Sequence, residues 1–142
     1  MSPDQLELVR LSFAAAAPRA DELTTIFYRR LFATAPEART LFPDDLSEQR
    51  KKLAAALGTI VKATARPDEL VPYLERLGRR HVGYGAVAEH YPLVADTLKA
   101  TLAELLGPAW SPSLDEAWTA ALDLVSSVML QGAAAATAGA AA

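Results

Sequence analysis

Apolar residues recur every three or four positions along most of this chain, and prolines and glycines separate one such stretch from the next. No stretch alternates apolar and polar residues at an interval of two between turn-forming residues, which is the pattern of a strand. The sequence therefore predicts an all-α fold. Its 142 residues fit one domain with a sizeable core and room for an internal ligand.

Proline, glycine and capping residues predict where the helices begin and end. Ser2 caps the first helix, a second is expected over 20–34, and a turn-rich segment covers 36–43. Ser47 is a candidate N-cap for the third. The later expectations are a helix from Pro67 that is broken or irregular near Pro72 and ends at Gly83, a helix opening at Tyr91–Pro92, and a last helix from Pro112.

Composition narrows the function classes. A net charge of −3 gives no long-range attraction to nucleic acid, and the absence of cysteine removes disulfide frameworks, thiolate metal sites and thiol nucleophiles. No secretory signal is evident, and no apolar run approaches the roughly 18 residues of a spanning helix. We therefore expect a cytoplasmic protein without membrane insertion, with one domain over 1–132 and an alanine-rich tail over 133–142.

One of the two histidines, His81, ends an apolar helical stripe that runs through Leu70, Leu74 and Leu77. A lone histidine on such a face is usually a satisfied core residue. Here, however, another helix presents Gln49 at the start of its own apolar stripe, and an imidazole facing a polar group across a helical core suits a haem between the two helices.

Several short runs together resemble bacterial single-domain globins and the globin domain of flavohaemoglobins. No run is specific alone, but their order and spacing are, and the resemblance covers residues 3 to 132. The runs are Phe27-Tyr28-Arg29-Arg30-Leu31-Phe32, Leu41-Phe42, Ser47-Glu48-Gln49-Arg50-Lys51-Lys52-Leu53, Gly78-Arg79-Arg80-His81 and Glu89-His90-Tyr91-Pro92-Leu93-Val94.

The resemblance implies a globin fold, a three-over-three helical sandwich, that holds haem b. It implies that His81 is the iron ligand, that Phe42 packs on the haem face, and that Tyr28 and Gln49 each offer a hydrogen-bond donor to a gas ligand. Each of these residues is alternatively a core or surface residue without such a role. The remaining implied cofactor-binding residues are Leu53 on the distal wall, Tyr91 near His81, and Leu77, Val94 and Leu98 near the proximal side.

The chain departs from this family at one proximal position. Flavohaemoglobins and their closest single-domain relatives place a glutamate on the last helix behind the proximal histidine, and ungapped extension from Trp118 puts Ala133 there. Without that carboxylate, the iron is expected to be less inclined to peroxide-type chemistry.

The function that the resemblance implies is reversible binding of dioxygen, with carbon monoxide and nitric oxide as further ligands, for storage, delivery or sensing. The alternatives are nitric oxide dioxygenation, which needs an external reductase because the sequence contains no flavin- or nicotinamide-binding part, weak peroxidase activity, and a haem-free sensor or interaction module.

Overall fold

The computed structural model describes residues 1–141, with side chains as far as residue 137. Within that part the chain forms six α-helices joined by short turns and 3₁₀ segments, and no strands, which confirms the all-α prediction. The helices are α1 (Pro3–Ala16), α2 (Ala20–Thr34), α3 (Ser47–Ala63), α4 (Pro67–Gly83), α5 (His90–Leu106) and α6 (Pro112–Ala141).

The two predicted caps have different outcomes. Ser2 caps α1 in a capping box: its hydroxyl accepts the Gln5 amide at 3.1 Å, and the Gln5 side chain accepts the Ser2 amide at 3.0 Å. The prediction for Ser47 is wrong, because Ser47 is already inside α3. Its amide and hydroxyl both donate to the carboxylate of Asp45, at 2.9 and 2.7 Å, so the acidic side chain two residues earlier takes its donors.

Two helices are more regular than the sequence predicts. α4 continues through Pro72 without a break, since the proline lies near the start of the helix and the carbonyl it leaves free belongs to Asp68, an exposed residue. α6 continues through Gly132 into the alanine-rich tail, predicted over 133–142, and ends at Ala141. Ala142 lies outside the described residues.

α6 also has the length and hydropathy of a membrane-spanning helix over Pro112–Thr137, where an 18-residue window reaches a mean hydropathy of 1.3. The sequence did not predict a helix of this hydropathy, because it contains no continuous apolar run. Alanines spread through the helix raise its mean hydropathy instead. Core helices of globular domains meet the same criterion. α6 packs against α1, α4 and α5, and 22% of that window is buried.

The buried apolar residues form two separate clusters. The larger one, the first core, joins α1, α2, α3, α5 and the start of α6, and includes Val9, Phe27, Leu31, Leu102 and Trp118. The second core joins α4 to the later part of α6 through Leu70, Leu74, Val128 and Met129. Among the candidate functional residues, Tyr28 and Leu98 lie within the first core, and Phe42, Leu53, Leu77 and Tyr91 pack half-buried against one core or the other.

Candidate functional site

His81 lies in the last turn of α4, and one of its ring nitrogens, Nδ1, is hydrogen-bonded to the backbone. Its Nδ1 lies 2.7 Å from the carbonyl oxygen of Leu77, and because a carbonyl only accepts, Nδ1 carries the proton. Nε2 then keeps its lone pair. Burial lowers the pKa of His81 below its ordinary value, although the Leu77 carbonyl acts the other way. The side chain is therefore a neutral imidazole in the tautomer that binds a metal through Nε2.

Two tyrosines flank the His81 ring. Tyr91 lies at a centroid distance of 6.5 Å and tilted, and Tyr84 meets the imidazole edge-on at 5.7 Å. Tyr91 was predicted near His81, and burial raises the pKa of its phenol, so the hydroxyl stays protonated. Tyr84 was not predicted. Its spacing of three residues from His81, at the end of a helix, was the available signal.

Tyr28 and Gln49 contact each other directly. Gln49 Nε2 donates to the Tyr28 hydroxyl at 3.1 Å, which joins the middle of α2 to the first turn of α3. Tyr28 is only 4% exposed, and burial raises the pKa of its phenol more than the Gln49 bond lowers it. The phenol is thus neutral, and because its oxygen accepts from Gln49, its own proton is available for another acceptor.

An aromatic cluster fixes the Tyr28 ring. Phe27 and Phe42 meet it edge-on at 5.1 and 5.5 Å, and Phe32 lies tilted at 5.8 Å. Phe42 and Phe32 also contact each other at 5.6 Å. Such contacts hold a ring in one orientation. Phe42, which was predicted to pack on a haem face, thus lies beside Tyr28, and the contact of Phe32 with Tyr28 was not predicted.

The apolar candidates divide between the two cores. Leu53 and Phe42 pack half-buried against the first core, and Leu98 is buried within it. Leu77 and Tyr91 pack half-buried against the second core. Val94 on α5 is 39% exposed. The structure thus brings together one group around Tyr28, Gln49 and Phe42, and another around His81, Leu77 and Tyr91.

The donor set of these two groups fits a haem. One group would provide an imidazole nitrogen to hold the iron, the other would offer a phenol and an amide to a bound gas, and the half-buried apolar side chains beside both groups suit a porphyrin. Within residues 1–137, no three histidine, cysteine or acidic side chains are grouped to hold a metal ion without such a cofactor. Fold and site together define an all-α protein whose donor set suits a haem.

Comparison with known proteins gives the family. The globin family profile matches residues 25–129, and the chain belongs to the globin family. The globin fold, a three-over-three helical sandwich, is thereby confirmed. Flavohemoproteins of Bordetella parapertussis and Chromobacterium violaceum are each 32% identical over 133 residues. The match covers 92% of this chain and 33% of each relative, so the chain spans about a third of the length of these curated relatives.

Two solved structures are similar along nearly their whole length. An engineered carbene transferase from Rhodothermus marinus, derived from a protein assigned as a nitric oxide dioxygenase, has a TM-score of 0.89 and 31% identity, with 100% of this chain and 99% of that chain covered. A bacterial globin of Campylobacter jejuni has a TM-score of 0.77 and 23% identity, with 93% and 96% covered, and supports the fold.

Proposed function

We propose that the protein binds haem b through Nε2 of His81 and binds dioxygen reversibly beside Tyr28. The observation that carries this proposal is the buried, neutral Tyr28 hydroxyl, whose oxygen accepts from Gln49 and whose proton is therefore available to a gas ligand. Membership of the globin family and the His81 tautomer support haem as the cofactor.

The cofactor would be held by residues from both cores. His81 would ligate the iron, while the Leu77 carbonyl fixes the plane and tautomer of its ring. When bound, haem supplies an iron that takes up a diatomic gas. The residues proposed to pack on the porphyrin are Phe42, Leu53, Leu77, Tyr91, Val94 and Leu98.

Tyr28 would select among gases by their polarity. A polar ligand such as dioxygen benefits from a hydrogen bond in a dry pocket more than carbon monoxide does, by about 1.5–3 kcal/mol, or one to two decades in dissociation rate. The aromatic cluster around Tyr28 prevents its ring from turning away, and the burial of the ring keeps competing water from the hydroxyl.

Nitric oxide dioxygenation is the second candidate. It is favoured by the 31% identity, over the whole chain, to the Rhodothermus marinus protein assigned to that activity. In this reaction nitric oxide and dioxygen give nitrate, and continued turnover needs a source of electrons. We propose an external reductase as the partner for that case, with Tyr28 and Gln49 serving the same pocket.

Absorption spectra with one equivalent of hemin test the proposal. Wild-type protein should give ferric, ferrous, carbon monoxide and dioxygen spectra of a histidine-ligated haem, and His81→Ala should lose them. His90→Ala is the matched control and should behave as wild type: the Val87 amide donates to Nδ1 of His90 at 3.3 Å, so Nδ1 is the unprotonated nitrogen, the reverse of the arrangement at His81. A protein that takes up no hemin would overturn the proposal in favour of a haem-free module, and nitric oxide consumption with added reductant separates the two haem functions.

A further inference from the structure

α4 and α6 approach each other at the level of the backbone at two glycines. A Cβ built on Gly78 would lie 1.9 Å from the carbonyl oxygen of Met129, and one built on Gly132 would lie 2.2 Å from that of Glu75. Real Cβ atoms essentially never come closer than 3.0 Å to such atoms. The two contacts are reciprocal, since each helix supplies one glycine and one carbonyl. We call them the glycine contacts.

The glycine contacts lie within the most extensive helix–helix packing of the described chain. Buried Leu74 on α4 and buried Val128 and Met129 on α6 surround them. Where side chains separate two helices, rotamer changes absorb small shifts, but here backbone rests on backbone, with geometry suited to Cα–H···O contacts. The position of α4 on α6 is therefore set with little freedom in this region.

The glycine contacts are one helical turn from the candidate iron ligand. Gly78 precedes His81 by three residues and directly follows Leu77, whose carbonyl accepts the His81 Nδ1–H. A displacement of α4 from α6 therefore carries the His81 ring and its orienting carbonyl together. Gly78 and Gly132, which have no side chain, thus affect the position and tilt of the His81 imidazole.

We infer that the glycine contacts position His81, so that Gly78 and Gly132 are positioning residues for the iron ligand. This inference rests on the proposed haem function. Any side chain at Gly132 would separate the helices by about 1 Å, since packed backbones do not interpenetrate. Because the displacement acts through His81, it alters the bond between histidine and iron and changes carbon monoxide and dioxygen binding in parallel, unlike the loss of Tyr28.

Gly132→Ala tests the inference, because this glycine lies on a different helix from His81. The readout is the iron–histidine stretching band in the resonance Raman spectrum of the ferrous, hemin-loaded protein, which should shift from its wild-type position. Gly58→Ala on α3 is the matched control: its added methyl meets nothing within 4 Å, and the band should stay in place. An unshifted band in folded Gly132→Ala would overturn the inference.

A second background separates positioning from a general effect on the pocket. In His81→Gly with added imidazole, the ligand is detached from α4, so Gly132→Ala should shift its spectrum no further. A shift that persists with free imidazole would overturn the inference. If Gly132→Ala does not fold, Val128→Ala loosens the same contact without a clash, and there too an unshifted band decides against the inference. A wild-type protein that takes up hemin without any iron–histidine band shows instead that the proposed function itself has failed, and the inference with it.

Discussion

Gln49 donates to the Tyr28 hydroxyl rather than standing beside it as an independent donor. In the proposed function, the direction of this bond leaves the Tyr28 proton to the gas ligand, and Gln49 orients that proton. Gln49 would therefore affect gas binding through Tyr28. The sequence predicted that each residue donates to the gas ligand, whereas in the structure Gln49 donates to Tyr28.

Tyr28→Phe should accelerate dioxygen release by about one to two decades, because it removes a hydrogen bond of roughly 1.5–3 kcal/mol from a polar ligand while keeping the ring in its aromatic cluster. Carbon monoxide release should change little. Flash photolysis and stopped-flow displacement on the hemin-loaded protein give both rates. Equal changes for the two gases would show that Tyr28 acts by steric fit alone.

Gln49→Leu should accelerate dioxygen release less than Tyr28→Phe does, because the Tyr28 proton remains but loses its fixed direction. Combined with Tyr28→Phe it should add little, since residues in one hydrogen-bond network are not additive. Gln131→Leu, at an exposed position of α6, is the control. An effect of Gln49→Leu that exceeds that of Tyr28→Phe would place Gln49, not Tyr28, against the ligand.

Much of the fold followed from the sequence because it depends on local signals. Proline, glycine and the 3.6-residue apolar period placed most helix boundaries within a few residues, and the stripe that ends at His81 singled out the imidazole proposed to bind the iron. Tyr28 and Gln49 came from the resemblance to a family. Their contact across 21 positions is a tertiary relationship that periodicity does not contain.

The features that the sequence did not give depend on competition or on non-local packing. Asp45 displaced the capping role predicted for Ser47 because a carboxylate is the stronger acceptor. The close approach at Gly78 and Gly132 joins helices far apart in the chain, and either glycine read alone is only a weak helix residue. The orientation of Tyr84 toward His81 likewise depends on how the chain leaves α4.

Ser12→Ala should destabilise the fold by about 1–3 kcal/mol. The indole Nε1 of Trp118 donates to the Ser12 hydroxyl at 2.9 Å in the buried space between α1 and α6, and the substitution leaves this N–H without an acceptor. Urea unfolding measures the change. Ser127→Ala, at an exposed position, should stay within about 0.5 kcal/mol. If Trp118→Phe restores no stability in the Ser12→Ala background, the unpaired indole is not the cause.

Glu104 should make stability depend on pH in the acid range. Hydrogen bonds from Arg29 and Arg30 hold the pKa of its carboxyl below the ordinary 4.5, so the unfolded chain takes up the proton first. The contribution is therefore present above the ordinary value and is lost as the pH falls through it toward the folded pKa. The free energy of unfolding, measured at a series of pH values, should fall less steeply in Glu104→Gln than in wild type between about pH 5 and 3. A slope in Glu104→Gln identical to that of wild type would show that the contact of Glu104 with Arg29 and Arg30, which links α5 to α2, is not the source of the pH dependence.

Hemin should raise the melting temperature through two contributions, apolar contacts with the porphyrin and the bond between His81 and the iron. At a free concentration of one hundred times Kd, a ligand that binds only the folded chain adds about 2.7 kcal/mol, or roughly 5–10 °C for a chain of this size. Part of this gain comes from covering Val94, which is 39% exposed, and the half-buried Phe42, Leu53 and Leu77. The rest comes from the bond to His81. Iron-free protoporphyrin supplies only the apolar contacts. At equal concentration it should therefore raise the melting temperature of the wild-type protein less than hemin does. In His81→Ala, hemin should raise the melting temperature only as much as protoporphyrin does in wild type. Equal shifts from the two porphyrins in the wild-type protein would show that His81 does not bind the iron.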